Sequence, residues 1–266
     1  MKPEENYIEI NRKSWNNRTE THIDSEFYDM TSFMQGATSL NSIETELLGD
    51  IKGKSILHLQ CHFGQDSISL SRLGAKVTGV DLSDLSIKKA KELAQELQVD
   101  TQFICCDIYD LENHLNQKFD YIFTSYGVIG WLPDLDRWAT IIHHFLKPGA
   151  QLVFVEFHPV VWMFDDDFKL VKYNYFNDGP IHENEEGTYA NKEAEISQEY
   201  VTWNHSLSEV MTSLINHDLQ INSFQEFNYS PYNCFNHTKK IDQNKYIIEH
   251  LNQKIPMVYA IKATKK

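Results

Sequence analysis

Residues 55–81, SILHLQCHFGQDSISLSRLGAKVTGVD, constrain the fold more than any other stretch of the chain. Ile56, Leu57 and Leu59, with Cys61 just beyond, form the near-continuous apolar run of a central parallel strand covered on both faces. His62-Phe63-Gly64 then reads as a tight turn. Ile68, Leu70 and Leu73 give the following helix an apolar face, and Gly74 is placed to stop it. Val77, Val80 and the closing Asp81 form a second strand, with the acid seventeen residues past Gly64. Strand, turn, helix and acid-terminated strand make the first half of a βαβ nucleotide-binding unit, in which the carboxylate reaches a ribose diol. The chain is expected to bind an adenosine-containing small molecule.

At these residues the chain resembles the class I methyltransferases that use S-adenosylmethionine. Their first motif, acid-x-Gly-x-Gly-x-Gly, aligns with His58, Gln60, His62 and Gly64, so the acid and two of the three glycines are replaced here. Glycine permits positive φ and close approach of backbone to a ligand. A cofactor without a pyrophosphate demands less bare backbone, and residues 60–64 read as a variant of the motif. Asp81-Leu82-Ser83 looks like the second motif, whose acid holds the ribose hydroxyls. Residues 84–98 read as a helix. Residues 103–108 resemble the third strand, with Asp107 near the adenine amino group, and residues 119–127 the fourth, with its substrate-facing end at Ser125 and Tyr126. A helix over 135–146, the turn Lys147-Pro148-Gly149-Ala150 and a strand over 151–156 complete the likeness, which spans residues 51–158.

The resemblance implies an α/β fold: a Rossmann-like, seven-stranded, mostly parallel sheet with helices on both faces, an antiparallel C-terminal strand and an inserted lid. It implies S-adenosylmethionine as cofactor, bound by Gln60, Cys61, His62, Phe63, Gly64, Asp81, Leu82, Ser83, Asp107, Ile108, Ser125 and Tyr126. In that family an N-terminal aromatic segment often closes over the cofactor and an arginine meets the methionine carboxylate. Trp15 and Arg18 are the matching candidates here; a surface arginine is the competing reading of Arg18.

The chain then divides into a cofactor-covering segment, residues 1–50, and a methyltransferase domain, residues 51–266, interrupted by an insertion at 157–204. The insertion holds ten acids against three lysines, and also Trp162, Tyr173, Tyr175, Phe176, Tyr189, Tyr200 and Trp203. It follows the fifth strand at the carboxyl edge, where open α/β sheets bind ligands, and is expected to act as a substrate lid suited to a cationic or aromatic amine. His158, just past Glu156, is the candidate general base for a hydroxyl acceptor. A helix over 206–217 and strands over 222–229 and 256–262, the last two paired antiparallel, would close the sheet.

Charge removes one class of partner. The net charge is −14 and only Arg12, Arg18, Arg72 and Arg137 are arginines, so no basic stripe is available to neutralise nucleic-acid phosphates. No run approaches the ~18 apolar residues of a membrane span. Residues 1–18 do not resemble a secretion signal, and Cys61, Cys105, Cys106 and Cys234 show no metal-ligand spacing. A cytoplasmic protein with reduced thiols and no metal is expected. Methyl transfer to a small molecule is the leading function. A cofactor-binding protein without catalysis and a nicotinamide-dependent oxidoreductase are the alternatives, and no motif indicates the acceptor or the oligomeric state.

Overall fold

A computed structural model describes residues 6–266; residues 1–5 of the expected covering segment lie outside the described residues. Three helices, α1 (Tyr7–Ile23), α2 (Met30–Met34) and α3 (Ser42–Leu48), precede the first strand. The alternating part follows: β1 (Ser55–Leu59), α4 (Gln65–Arg72), β2 (Lys76–Asp81), α5 (Asp84–Glu96), β3 (Thr101–Cys105), β4 (Phe119–Ser125), α6 (Leu135–Phe145) and β5 (Leu146–Phe157). The chain continues through a hairpin of β6 (Ile181–Glu186) and β7 (Ser197–Thr202), then α7 (Leu207–Asn216) and β8 (Leu219–Phe227). A second hairpin, β9 (Thr238–Asp242) and β10 (Lys245–Ile248), precedes β11 (Val258–Lys265).

The main sheet has seven strands in the order β3-β2-β1-β4-β5-β11-β8. All neighbours pair parallel except β11, which runs antiparallel to both β5 and β8. Every residue of β1 is buried, as expected of a strand with helices on both faces. Its side chains alternate between them: Leu57 and Leu59 pack with Trp138, Ile142 and Leu214 under α6 and α7, whereas Ile56 packs with Leu47, Leu48 and Leu70 under α3 and α4. The helix starts carry the local signals that fix them. Asn41 and Glu44 form a capping box on α3, while Ser83, Asp134 and Ser206 cap α5, α6 and α7.

The sequence reading missed the segment between β8 and β11. Instead of passing directly between the last two strands, the chain builds the β9–β10 hairpin and a loop whose Tyr232 returns to the carboxyl edge of the sheet, its ring centroid 5.0 Å from that of Tyr126.

Candidate active site

β1 delivers the chain to residues 60–64, where Gln60 (φ 56°), His62 (φ 50°) and Gly64 (φ 83°) all adopt left-handed backbone. Two non-glycine residues thus hold the conformation that favours glycine, at a cost of order 1 kcal/mol each. Gly64 is fixed by packing as well. A Cβ there would lie 2.7 Å from the Phe103 ring and 2.9 Å from Ala90, so the bare Cα faces the interior of the sheet.

Asp81, buried at the end of β2, ties this turn down. Its carboxylate accepts the backbone N–H of His62 at 2.8 Å and of Ser83 at 2.8 Å. Burial pushes its pKa up to about 6 against those hydrogen bonds. The N–H of Cys106 donates to the Asp81 carbonyl at 3.0 Å, setting Asp107 and Ile108 beside the β2 end. Asp107 caps the short turn Ile108–Asn113 through the N–H of Tyr109, and Ile108 is buried in the core. Leu82 is partly exposed between Asp81 and Ser83.

Two of the expected contacts are otherwise engaged. Cys61 is buried with its sulfur turned toward Gly79 and Phe103, where a Cβ on Gly79 would meet it at 2.8 Å; its side chain is core, not pocket lining. Ser83 is fully buried, caps α5 and donates its hydroxyl to Asn16 Oδ1 at 2.6 Å.

α1 lies across this edge. Trp15 meets both His62 and Trp131 edge-on at 5.1 Å, bringing the 60–64 turn and the 128–131 loop under one helix. Arg18, only 3% exposed, sits over the rings of Trp15, Trp131 and Tyr200 and pairs with Glu185 of the β6–β7 hairpin at 2.6 Å. His22 Nδ1 lies 2.9 Å from His62 Nε2. Burial first, then the neighbouring His62 and Arg18, lowers the pKa of His22 to about 2; burial and Arg18 lower that of His62 to about 3. Both rings are neutral at physiological pH. Phe63 is buried, with the Tyr28 ring 4.7 Å away.

The hairpin is bound to α1 by more than Arg18. Asn11 donates to the Val201 carbonyl and accepts the Val201 N–H, both at 2.8 Å, so its amide pairs with β7 as a neighbouring strand would. Asn17 reaches Gln198 at 3.1 Å.

At the ends of β4 and β5, the Ser125 hydroxyl donates to Asp66 at 3.4 Å and Tyr126 donates to Glu44 at 3.1 Å. Glu44 is fully buried, and burial followed by the nearby Asp66 charge raises its pKa to about 7. Phe27, Tyr28, Tyr189 and Tyr232 wall this region; the Tyr28 and Tyr189 hydroxyls lie 2.5 Å apart, and Phe27 stacks on Tyr232 at 5.6 Å. Tyr189 also lines an open groove of about 680 Å³ bounded by Lys192, Asn233, Phe235 and His237. Glu156 accepts the N–H groups of Gly127, Val128 at 2.8 Å and Ile129 at 3.2 Å, fixing the loop after β4. The sequence reading passed over Glu156, Glu44, Asp66, His22 and Tyr232. A lone acid inside a strand or first helical turn was the only available signal for the three carboxylates.

His158 is engaged on both sides of its ring. It is buried beyond the edge of β5, with Nε2 3.0 Å from Glu226 on β8 and Nδ1 accepting the Val160 N–H at 3.2 Å. Burial holds its pKa below the usual value, with Glu226 opposing. Neither ring nitrogen is free to take a proton from an acceptor.

Among the described residues, four buried side-chain polar atoms lack a partner: His22 Nε2, Gln60 Oε1, Trp138 Nε1 and Tyr259 OH. Leaving such a group bare costs ~1–3 kcal/mol. Two of the four flank the 60–64 turn, where a ligand with hydrogen-bond donors would relieve them. The residues present therefore fit an adenosyl amino-acid cofactor at this edge. No cluster of metal-ligating side chains occurs among the described residues, and none of their helices is long and apolar enough to cross a membrane.

Comparison with known proteins bears on the fold that carries this edge. The family described as a methyltransferase domain matches residues 56–149. The ubiquinone biosynthesis O-methyltransferase of Coxiella burnetii is 36% identical over 104 residues, covering 39% of this chain and 44% of that protein. Its counterpart in Alkalilimnicola ehrlichii is 27% identical over 109 residues, 41% of this chain and 44% of that protein. The chain thus spans less than half the length of these curated relatives. An S-adenosylmethionine-dependent methyltransferase structure from Mesorhizobium loti superposes with a TM-score of 0.58 at 19% identity, over 87% of this chain and 100% of that one. The geranyl diphosphate C-methyltransferase of Streptomyces coelicolor, solved with S-adenosyl-L-homocysteine, gives 0.60 at 14% identity over 98% of each chain. Residues 56–149 thus match a methyltransferase domain, carried on a fold similar to that of S-adenosylmethionine-dependent methyltransferases.

Proposed function

We propose that this protein transfers the methyl group of S-adenosylmethionine to a small-molecule acceptor held between the ends of β4 and β5. The reading rests on one observation above all: a left-handed turn opens α4 beside the buried acid that ends β2, beneath an aromatic helix. Each Asp81 oxygen accepts one backbone N–H and keeps lone-pair capacity for a ribose hydroxyl. Leu82, Asp107 and Ile108 are assigned to the adenine side. Gln60, His62, Phe63 and Gly64 form the turn side, and Trp15 and Arg18 cover the methionyl end.

When bound, the cofactor supplies a methyl group made electrophilic by its sulfonium. The protein's part is to fix the line of attack and exclude water. Ser125 and Tyr126, held by Asp66 and Glu44, form the acceptor side, and the rings of Phe27, Tyr28, Tyr189 and Tyr232 suit a planar or cationic group. An amine that arrives neutral needs no base, which accords with the engagement of both His158 nitrogens. Residues 1–50 act as the cover and residues 157–204 as the lid. The O-methyltransferase relatives favour a small-molecule acceptor, and the net charge of −14 disfavours nucleic acid.

Calorimetry with S-adenosylmethionine, S-adenosylhomocysteine and NAD tests the reading. Saturable binding of the two sulfur compounds and none of NAD is expected. Preferential binding of NAD, or of none of the three, overturns it.

A further inference from the structure

The two bare acceptors beside the turn have a defined chemistry. Thr19 donates its only hydroxyl proton to the Trp15 carbonyl at 2.7 Å, so at the 2.6 Å contact between Thr19 and Ser86 the serine is the donor. Ser86 then has no proton for His62, and His62 Nδ1 must donate to it at 3.0 Å. In a neutral ring that leaves His62 Nε2 as an acceptor, filled by His22 Nδ1–H at 2.9 Å. The chain of hydrogen bonds ends at His22 Nε2, which carries a lone pair, no proton and no partner. Gln60 is polarised the same way. Its amide nitrogen donates to the Val128 carbonyl at 2.8 Å, and its Oε1 is left bare.

Both acceptors lie where α1 crosses the end of β1. One helical turn before His22, on the same face, stands the buried cation Arg18. A cation and two empty acceptors form a complementary surface for a zwitterion: carboxylate to the guanidinium, ammonium N–H groups to the lone pairs. Arg18 uses one N–H on Ser14 and one on Glu185, which leaves three donors free.

We infer that His22 Nε2 and Gln60 Oε1 receive the α-ammonium of the cofactor's methionyl end, making α1 a reader of the amino-acid portion of the ligand. This rests on the cofactor reading proposed above. It extends that reading by giving His22, on a helix outside the matched domain, a specificity role toward a positively charged amine.

The test compares two ligands by calorimetry: S-adenosylhomocysteine, and 5′-methylthioadenosine, which keeps the adenosine and sulfur but has no amino-acid group. His22→Asn retains a donor toward His62 and deletes the acceptor at the ε position; Gln60→Met keeps side-chain length and deletes the other acceptor. Each variant should lose about tenfold or more in affinity for S-adenosylhomocysteine and stay within about twofold for methylthioadenosine. His22→Gln, which returns an amide oxygen to the ε position, should recover part of the loss. Equal losses for both ligands would mark His22 and Gln60 as merely structural and overturn the inference, as would an unchanged affinity for S-adenosylhomocysteine. In both cases wild-type binding still upholds the cofactor reading. A wild-type protein that binds neither ligand overturns both.

Discussion

Single carboxylates decide much of what this site can do. Asp81 clamps the turn through the His62 N–H and is the proposed ribose ligand, so Asp81→Ala should weaken S-adenosylhomocysteine binding by about tenfold or more. Calorimetry checks this, and unchanged affinity would remove Asp81 from the site. Glu44 bears on stability instead. Burial, then the Asp66 charge, raises its pKa from 4.5 to about 7, so below pH ~4.5 it is neutral in the folded and unfolded chain alike. Between that pH and about 7 the unfolded chain releases its proton and the folded one keeps it. Stability therefore falls as pH rises through this window, by ~3 kcal/mol at most. Glu44→Gln keeps an oxygen for the Asn41 contacts and an amide donor for the Tyr126 oxygen. Urea unfolding should show the variant at least as stable as wild type at pH 8, with a flatter pH dependence; a steeper decline in the variant would refute the assignment.

At the scale of elements, what was legible in the sequence is what repeats locally. The apolar run of β1, the helix that begins after Ser83 and the acid closing β2 are short-range signals. The Asn11–Val201 pairing spans 190 positions and leaves no local pattern. The β9–β10 hairpin is polar and exposed along most of β9, so it lacked the alternation that marks a strand. His158 looked catalytic because it follows β5, yet β11 and β8 extend the sheet past it and put Glu226 against its ring. The variant turn holds left-handed backbone at Gln60 and His62, where two of the motif's three glycines are replaced. Within this turn Gly64 combines a positive φ with a filled space at its Cβ, so Gly64→Ala should lower stability by ~1–3 kcal/mol even without ligand. Thermal unfolding of the free protein reads this directly, and a variant that melts with wild type would show that Phe103 and Ala90 yield.

Over the whole molecule, α1 and the β6–β7 hairpin are one body. Asn11, Asn17 and Arg18 bind α1 to the β6–β7 hairpin, while Asn16 reaches Ser83 and Asp84 at the start of α5. Asn11→Ala should therefore free the Val201 amide and cost ~1–3 kcal/mol. Hydrogen exchange should show α1 and the hairpin opening together, both slowed by S-adenosylhomocysteine; a hairpin that exchanges freely while α1 stays protected would separate them.

The union of α1 and the hairpin also sets a clock. A helix held by the buried Arg18 guanidinium on a half-buried Glu185 and by a two-way amide contact does not peel back one side chain at a time, since each partial opening strands a buried polar group. Opening then becomes a unimolecular event that ligand concentration does not hasten. In stopped-flow mixing, the observed binding rate should climb with ligand and then level off at the opening rate. Arg18→Lys, which keeps the charge but loses the planar fork, should raise that plateau.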